Sequence, residues 1–192
     1  MGYILVDHGF DVWLGNTRGN TYSRNHTNLD PNTDEGFWNF DWDDAAQNDL
    51  PAVMDYILEE TKKDTLNYVG HSMGSTEMLV LLSEQPHQNA KLNKVVLLAP
   101  VAFMGHVQGA MATFAPYVNT LESLLGSLEL FPDMKWTTWL GHNVCNDPTN
   151  LSFFICTSLA RNNLDISPNQ LNSSMLPIYM DNWPGTIIFN LL

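Results

Sequence analysis

The stretch LNYVGHSMGSTEMLVLL, Leu66 to Leu82, decides the fold. Leu66 to Val69 is a β-rich run, and good helix formers follow from about Met73 to Ser83. Between them stands Gly70-His71-Ser72-Met73-Gly74, a G-x-S-x-G pentapeptide. Composition alone produces such a pentapeptide in roughly one chain of this length in fifteen, so the setting must carry the weight. A serine on a tight strand-to-helix turn lifts its hydroxyl clear of the sheet, which is what a nucleophile needs. Ser72 is therefore the candidate nucleophile. The backbone N–H of Met73, next in the chain, is a candidate donor to an oxyanion. Gly70 and Gly74 are expected because a Cβ at either would clash where the turn closes, and His71 is expected to pack beside it. The plain alternative is a strand–helix turn built from small residues, with no chemistry. A phosphate loop is not supported, since there is no G-x-G-x-x-G and no Lys at the P-loop position.

Working outward, Val95 to Ala99 is a continuous apolar run closed by Pro100, the pattern of a strand buried on both faces. Phe10 to Leu14 alternates apolar and polar residues before the turn formers Gly15 to Asn20, and reads as a strand ending in a loop. Leu29 to Gly36 reads as loop. Ala46, Leu50, Val53, Met54, Ile57 and Leu58 define one face of a helix. Pro51 interrupts it, so the helix is expected to start near Asp49 or to kink there. Asp41, Asp43 and Asp44 lie on its N-terminal side, where carboxylates offset the positive end of the helix dipole. Strand and helix alternating in this order predict a parallel sheet with crossover helices. From Val101 to Leu192 the chain is rich in Met, Phe, Leu and Trp and loses the alternation. The expected division is thus residues 1–100 as an α/β core and 101–192 as a mainly helical, cap-like segment.

Composition sets outer bounds. With 192 residues, 44% apolar and 15% charged, the chain is one ordinary globular domain or part of a larger protein. A net charge of −13 repels phosphate backbones and argues against nucleic-acid partners. No run of eighteen uncharged apolar residues exists, so no transmembrane helix is predicted. The opening MGYILVDHGFDVW lacks a basic region and carries Asp7, so it does not read as a signal peptide. Cys145 and Cys156 are the two cysteines. A disulfide between them would close a short loop worth roughly 3 kcal/mol, and two free thiols fit the sequence equally well. No metal-ligand spacing occurs and no cofactor motif is present, so neither is expected. Sequons at Asn25, Asn150 and Asn172 permit glycosylation, although chance gives about as many in a chain with 20 asparagines.

Five stretches together resemble the acid lipase family of the α/β-hydrolases. They are GFDVWLGNTRGNTYS (Gly9–Ser23), FWNFDWDDAAQNDLPAVMDYIL (Phe37–Leu58), LNYVGHSMGST (Leu66–Thr76), VVLLAPVA (Val95–Ala102) and LPIYMDNWPGTI (Leu176–Ile187). They touch nearly the whole chain in family order. The resemblance implies a partial α/β-hydrolase fold with a helical cap, and hydrolysis of carboxylic esters of neutral lipids, triacylglycerols or cholesteryl esters, at a lipid–water interface. It implies Ser72 as nucleophile, Met73 N–H as one oxyanion donor, and a secreted or lysosomal full-length protein. Family members often carry Gln where this chain has Met73, a departure that a backbone contact tolerates.

A serine needs an acid and a histidine, which in this fold follow the nucleophile in chain order. His87 reads as a solvated loop residue. His106 has only Glu77 and Glu84 between itself and Ser72, both on the helix after the turn. His142 could follow Glu122, Glu129 or Asp133, but too little sequence intervenes for the two further strands that normally carry acid and base. The chain thus resembles the middle of an acid lipase. It is expected to be inactive alone and to expose unpaired sheet edges. The alternative function is a catalytically dead, lipid-binding or regulatory product. Elsewhere, Arg18 is expected to pair with a nearby Asp rather than orient active-site loops. The aromatics Phe37, Trp38, Phe40 and Trp42 are expected to pack helix against sheet.

Overall fold

The computed structural model describes residues 1–106 together with 113, 115–117, 139, 143, 144, 153, 172, 175 and 178. Met1–His106 falls in one compact unit and Val107–Ile187 in a second, and the elements below belong to the first. Cys145, Cys156, Asn150 and His142 lie outside the described residues, as does nearly all of the expected cap.

The chain opens with a short helix α1, Gly2–Asp7. Phe10 to Leu14, expected as a strand, is not one: it forms no ladder with any described residue. Alternating side chains suit a strand only if a neighbour supplies backbone partners, and none of the described residues does. Phe10 and Leu14 stay 54% and 75% exposed.

The long loop that follows has its own small core. A 3-10 helix, Glu35–Trp38, buries Phe37 and Trp38. Trp38 stacks on Phe40, meets Phe37 edge to face, lies under the Arg24 guanidinium, and donates its indole N–H to the Pro31 carbonyl. Phe37, Trp38 and Phe40 knit loop to loop rather than helix to sheet, which corrects the sequence expectation for those three.

Helical winding starts at a capping box. The Asp41 carboxylate accepts from the backbone N–H groups of Asp43 and Asp44, and the Asp44 carboxylate accepts from the Asp41 N–H. Such a box satisfies amides that a helix start would otherwise strand. Helix α2, Trp42–Asp44, runs into a π turn, Ala45–Asp49, and then into α3, Leu50–Thr61. The interruption predicted at Pro51 is therefore a wide turn within continuous winding. Proline has no N–H for the Gln47 carbonyl four residues back, and that carbonyl accepts instead from the Gln85 side chain at 2.9 Å.

Two parallel strands, β1 (Leu66–His71) and β2 (Leu92–Leu98), pair with Val69 opposite Val96 and His71 opposite Leu98. The crossover between them holds α4, Met73–Glu84, and a 3-10 helix, Pro86–Lys91. The core sits between helices and sheet. Met54, Met78 and Leu81 are buried, and Leu50, Leu66, Tyr68, Leu82, Leu92 and Leu97 pack around them. Each fully buried side chain of that size contributes roughly 1.5–3 kcal/mol. Lys91 pairs with Asp55, tying the crossover to α3. β2 was expected to be buried on both faces, yet Val95 and Val96 remain 37% and 46% exposed. Among the described residues, helices cover the face that carries Tyr68 and Leu97; Val96 points to the other face and stays open, while Val95 shares the packed face and is only partly covered there.

Candidate active site

The pentapeptide forms the turn from β1 into α4. Ser72 follows the last residue of β1 and is the N-cap of α4, with φ 51° and ψ −115°. A non-glycine residue there costs about 1–3 kcal/mol and persists only when its surroundings over-determine it. Here they do. The Ser72 N–H donates to the carbonyl of Leu98, the last residue of β2, at 3.0 Å. Its own carbonyl accepts from the N–H groups of Ser75 and Thr76. The buried Ser75 hydroxyl donates to the Gly70 carbonyl at 3.1 Å and lies 3.3 Å from that of Leu98. Thr76 Oγ1 donates to the Val101 carbonyl at 2.6 Å, and Tyr68 donates its hydroxyl to the Gly74 carbonyl at 2.7 Å.

Gly70 is required by space. A Cβ there would lie 2.7 Å from the Gly74 oxygen and 2.8 Å from the Tyr68 ring. Gly74 is not required for the same reason, contrary to the sequence expectation: its nearest neighbour would be the Tyr68 hydroxyl at 3.4 Å, an ordinary contact. One glycine closes the turn, because the chain crosses itself above only one of the two.

A serine at an N-cap usually turns its oxygen onto the amides of the first helical turn. Ser72 makes no such bond. Its hydroxyl is left available, half-buried at the head of the helix. Met73 is the first helical residue, with an exposed side chain, and its N–H comes too early to find a carbonyl one turn back within the helix. The helix dipole adds partial positive charge at this end. The arrangement can therefore offer an unengaged hydroxyl beside amides suited to a developing oxyanion.

A base is not brought to this point by the described residues. His8, His26, His71, His87 and His106 are all exposed, and among the described residues none hydrogen-bonds Ser72. An open hollow of about 460 Å³ between Trp13, Leu14, Tyr22 and the α3 residues Val53 and Tyr56 contains none of the turn residues. Among the described residues no cluster of His, Cys, Asp or Glu could hold a metal.

Sequence reading missed the supports beneath the turn. Tyr68, Ser75 and Thr76 lie within four residues of Ser72, and only their hydroxyl groups hint at a role. It named Glu77 only as an acid on the helix after the turn and did not foresee its burial, at 5% exposed. Burial, reinforced by the nearby Asp49 charge, pushes its carboxyl up to about 7. Burial first and Glu77 second push the Tyr68 phenol up to about 12, so it stays a donor. The ion pair predicted for Arg18 forms with Asp49, through Nε, Nη2 and the backbone N–H. That hydrogen bond, against the opposing cost of burial, raises the guanidinium pKa, so Arg18 stays charged.

A model of the alpha/beta hydrolase fold matches residues 1–155. The chain is 36% identical over 200 residues to the human lysosomal acid lipase/cholesteryl ester hydrolase, covering 100% of this chain and 48% of that protein. It is 37% identical over 197 residues to lipase lipl-1 of Caenorhabditis elegans, covering 99% and 48%. Against lipase 1 of Drosophila melanogaster the identity is 32% over 187 residues, covering 97% and 41%. The chain spans about half the length of the curated relatives it matches.

Proposed function

Because this chain belongs to the alpha/beta hydrolase fold family, we propose that Ser72 is the nucleophile of a carboxylic ester hydrolase acting on neutral-lipid esters. The observation that carries this reading is the strained, uncapped Ser72 at φ 51° on the turn from β1 into α4. Similarity to proteins named as acid lipases and a cholesteryl ester hydrolase supports the substrate class. In the proposed reaction Oγ attacks the ester carbonyl and its proton passes to a base. The carbonyl oxygen gains charge against the Met73 N–H. The C–O bond to the alcohol breaks, the alcohol leaves with that proton, and water then releases the acid from Ser72.

Among the described residues none of His8, His26, His71, His87 and His106 hydrogen-bonds Ser72, so the proposed base is another histidine. With too little sequence between Ser72 and His142 for the strands that normally carry acid and base, the 192 residues alone are expected to be poorly reactive. The similarity to a lysosomal enzyme supports a secreted or lysosomal setting. In that setting Asn25 and Asn172, both exposed, are the glycan acceptors among the described residues.

Chemical rescue tests the reading. A fluorophosphonate should label Ser72 slowly, and added imidazole should speed the labelling by standing in for the missing base. Peptide mass spectrometry should place the adduct on Ser72, and Ser72→Ala should abolish it. Labelling elsewhere, or no response to imidazole, would favour a lipid-binding protein without catalysis. Rapid labelling without imidazole would put the base within the chain.

A further inference from the structure

Glu77 is an acid placed where the packing calls for an apolar residue. It lies on α4 next to Met78 and one turn before Leu81, both fully buried. Its own side chain is 5% exposed, and its oxygen Oε1 has no hydrogen-bond partner. A buried carboxylate without a donor is costly, and a buried neutral acid much less so.

The surroundings sharpen the difference. Two titratable groups bear on Glu77: Asp49 from the Ala45–Asp49 turn and Tyr68 from β1. Asp49 is negative, and Arg18, the cation beside it among the described residues, is already held by three bonds to the Asp49 carboxylate through its side chain. On α2, Asp43 accepts from Gln47 and Asp44 serves the capping box. On α3, Asp55, Glu59 and Glu60 are exposed, and Lys91 of the crossover is paired with Asp55. The Tyr68 hydroxyl is committed to the Gly74 carbonyl. No described cation or donor is placed to receive a charged Glu77.

We propose that Glu77 is a pH sensor built into the packing beneath the serine turn: neutral, it lets α4 close on the Ala45–Asp49 turn; ionised, it opposes Asp49 and loosens that contact. Since Ser72 caps α4, the turn is held most firmly in acid. The sign follows from linkage. The carboxyl titrates near 7 when folded against 4.5 in its ordinary state. A raised folded value gives a stabilising contribution that is complete below about 4.5 and lost as pH rises through about 7. This device acts through packing and is independent of whether Ser72 is ever acylated.

Thermal unfolding of the purified chain, followed by circular dichroism at pH 4.5 and pH 8, tests it with Glu77→Gln, which has the shape of the neutral acid and cannot ionise. Between the two pH values the wild type should lose on the order of a hundredfold in folded-to-unfolded ratio relative to Glu77→Gln. That corresponds to a relative fall in Tm of roughly 5–10 °C. Glu77→Met, which removes the polar group, should show the same flattened response. Glu84→Gln, at an exposed carboxylate on the same helix, should track the wild type. If unfolding is irreversible, the rate of cleavage by a protease active at both pH values gives the same comparison. Parallel pH responses in wild type and Glu77→Gln would overturn the proposal. So would failure of both Glu77 variants to fold at pH 4.5, because a neutral side chain should be accepted there.

Discussion

At Ser72 a single residue holds a conformation that most side chains avoid, and groups from its own turn and from the end of β2 keep it there. The Leu98 carbonyl fixes its N–H, Ser75 ties the turn to both strands, and the Tyr68 hydroxyl fastens the first turn of α4. The space left by this convergence is small under Gly70 and adequate under Gly74. Gly70→Ala should therefore cost about 1–3 kcal/mol, since the added methyl meets backbone that cannot step aside. Gly74→Ala should stay within about 1 kcal/mol of wild type, because better helix propensity offsets a mild contact. Urea midpoints of the two variants check the pair, and equal losses would mean the turn closes on both glycines alike. The G-x-S-x-G spacing made the turn legible in the sequence, but not which glycine the turn needs. That depends on where the Gly74 carbonyl lies, and its position is set by a tyrosine on the preceding strand.

Between elements, the informative joint is the one around Pro51. A proline in mid-helix removes the donor for the carbonyl four residues earlier. The chain widens into the π turn Ala45–Asp49, and Gln85, at the end of α4, supplies a donor to the Gln47 carbonyl from another element. Gln85→Leu should cost about 1–2 kcal/mol by leaving that carbonyl unmet. In a Pro51→Ala background the cost should shrink, because the introduced alanine brings an N–H of its own. A double-mutant cycle on thermal unfolding measures the coupling, and additive losses would show that the two sites act separately. The recurrence of Ala46, Leu50, Val53, Met54, Ile57 and Leu58 announced this helix, and Pro51 marked the disturbance. Neither could show the remedy, which comes from 38 residues along the chain. Phe10 to Leu14 failed for a related reason. Alternation describes a surface that a strand could bury, whereas a strand exists only where a neighbour completes its hydrogen bonds.

On the scale of the whole fold, among the described residues helices shield one face of a two-stranded sheet and leave valines on the other. Val69 and Val96 are register partners, so their side chains lie together, and they are 42% and 46% exposed. The parallel pairing was legible from the order of strand, helix and strand. The open face was not, because burial depends on everything that packs against a sheet, and the chain spans about half the length of its relatives. Two forces then compete between copies of this chain. Exposed apolar strands with free edges favour association, while a net charge of −13 opposes it. The repulsion is screened over about 8 Å at physiological salt and more strongly above it, whereas apolar contact is not screened. Self-association of the 192-residue chain should therefore rise with ionic strength. The double variant Val69→Lys with Val96→Lys should stay monomeric at salt concentrations where the wild type assembles. It places two like charges side by side on the open face, so any approaching sheet would have to bury them. Sedimentation velocity across a salt series reads both effects. Association that weakens with salt, or that the lysines leave unchanged, would locate the sticky surface away from this face.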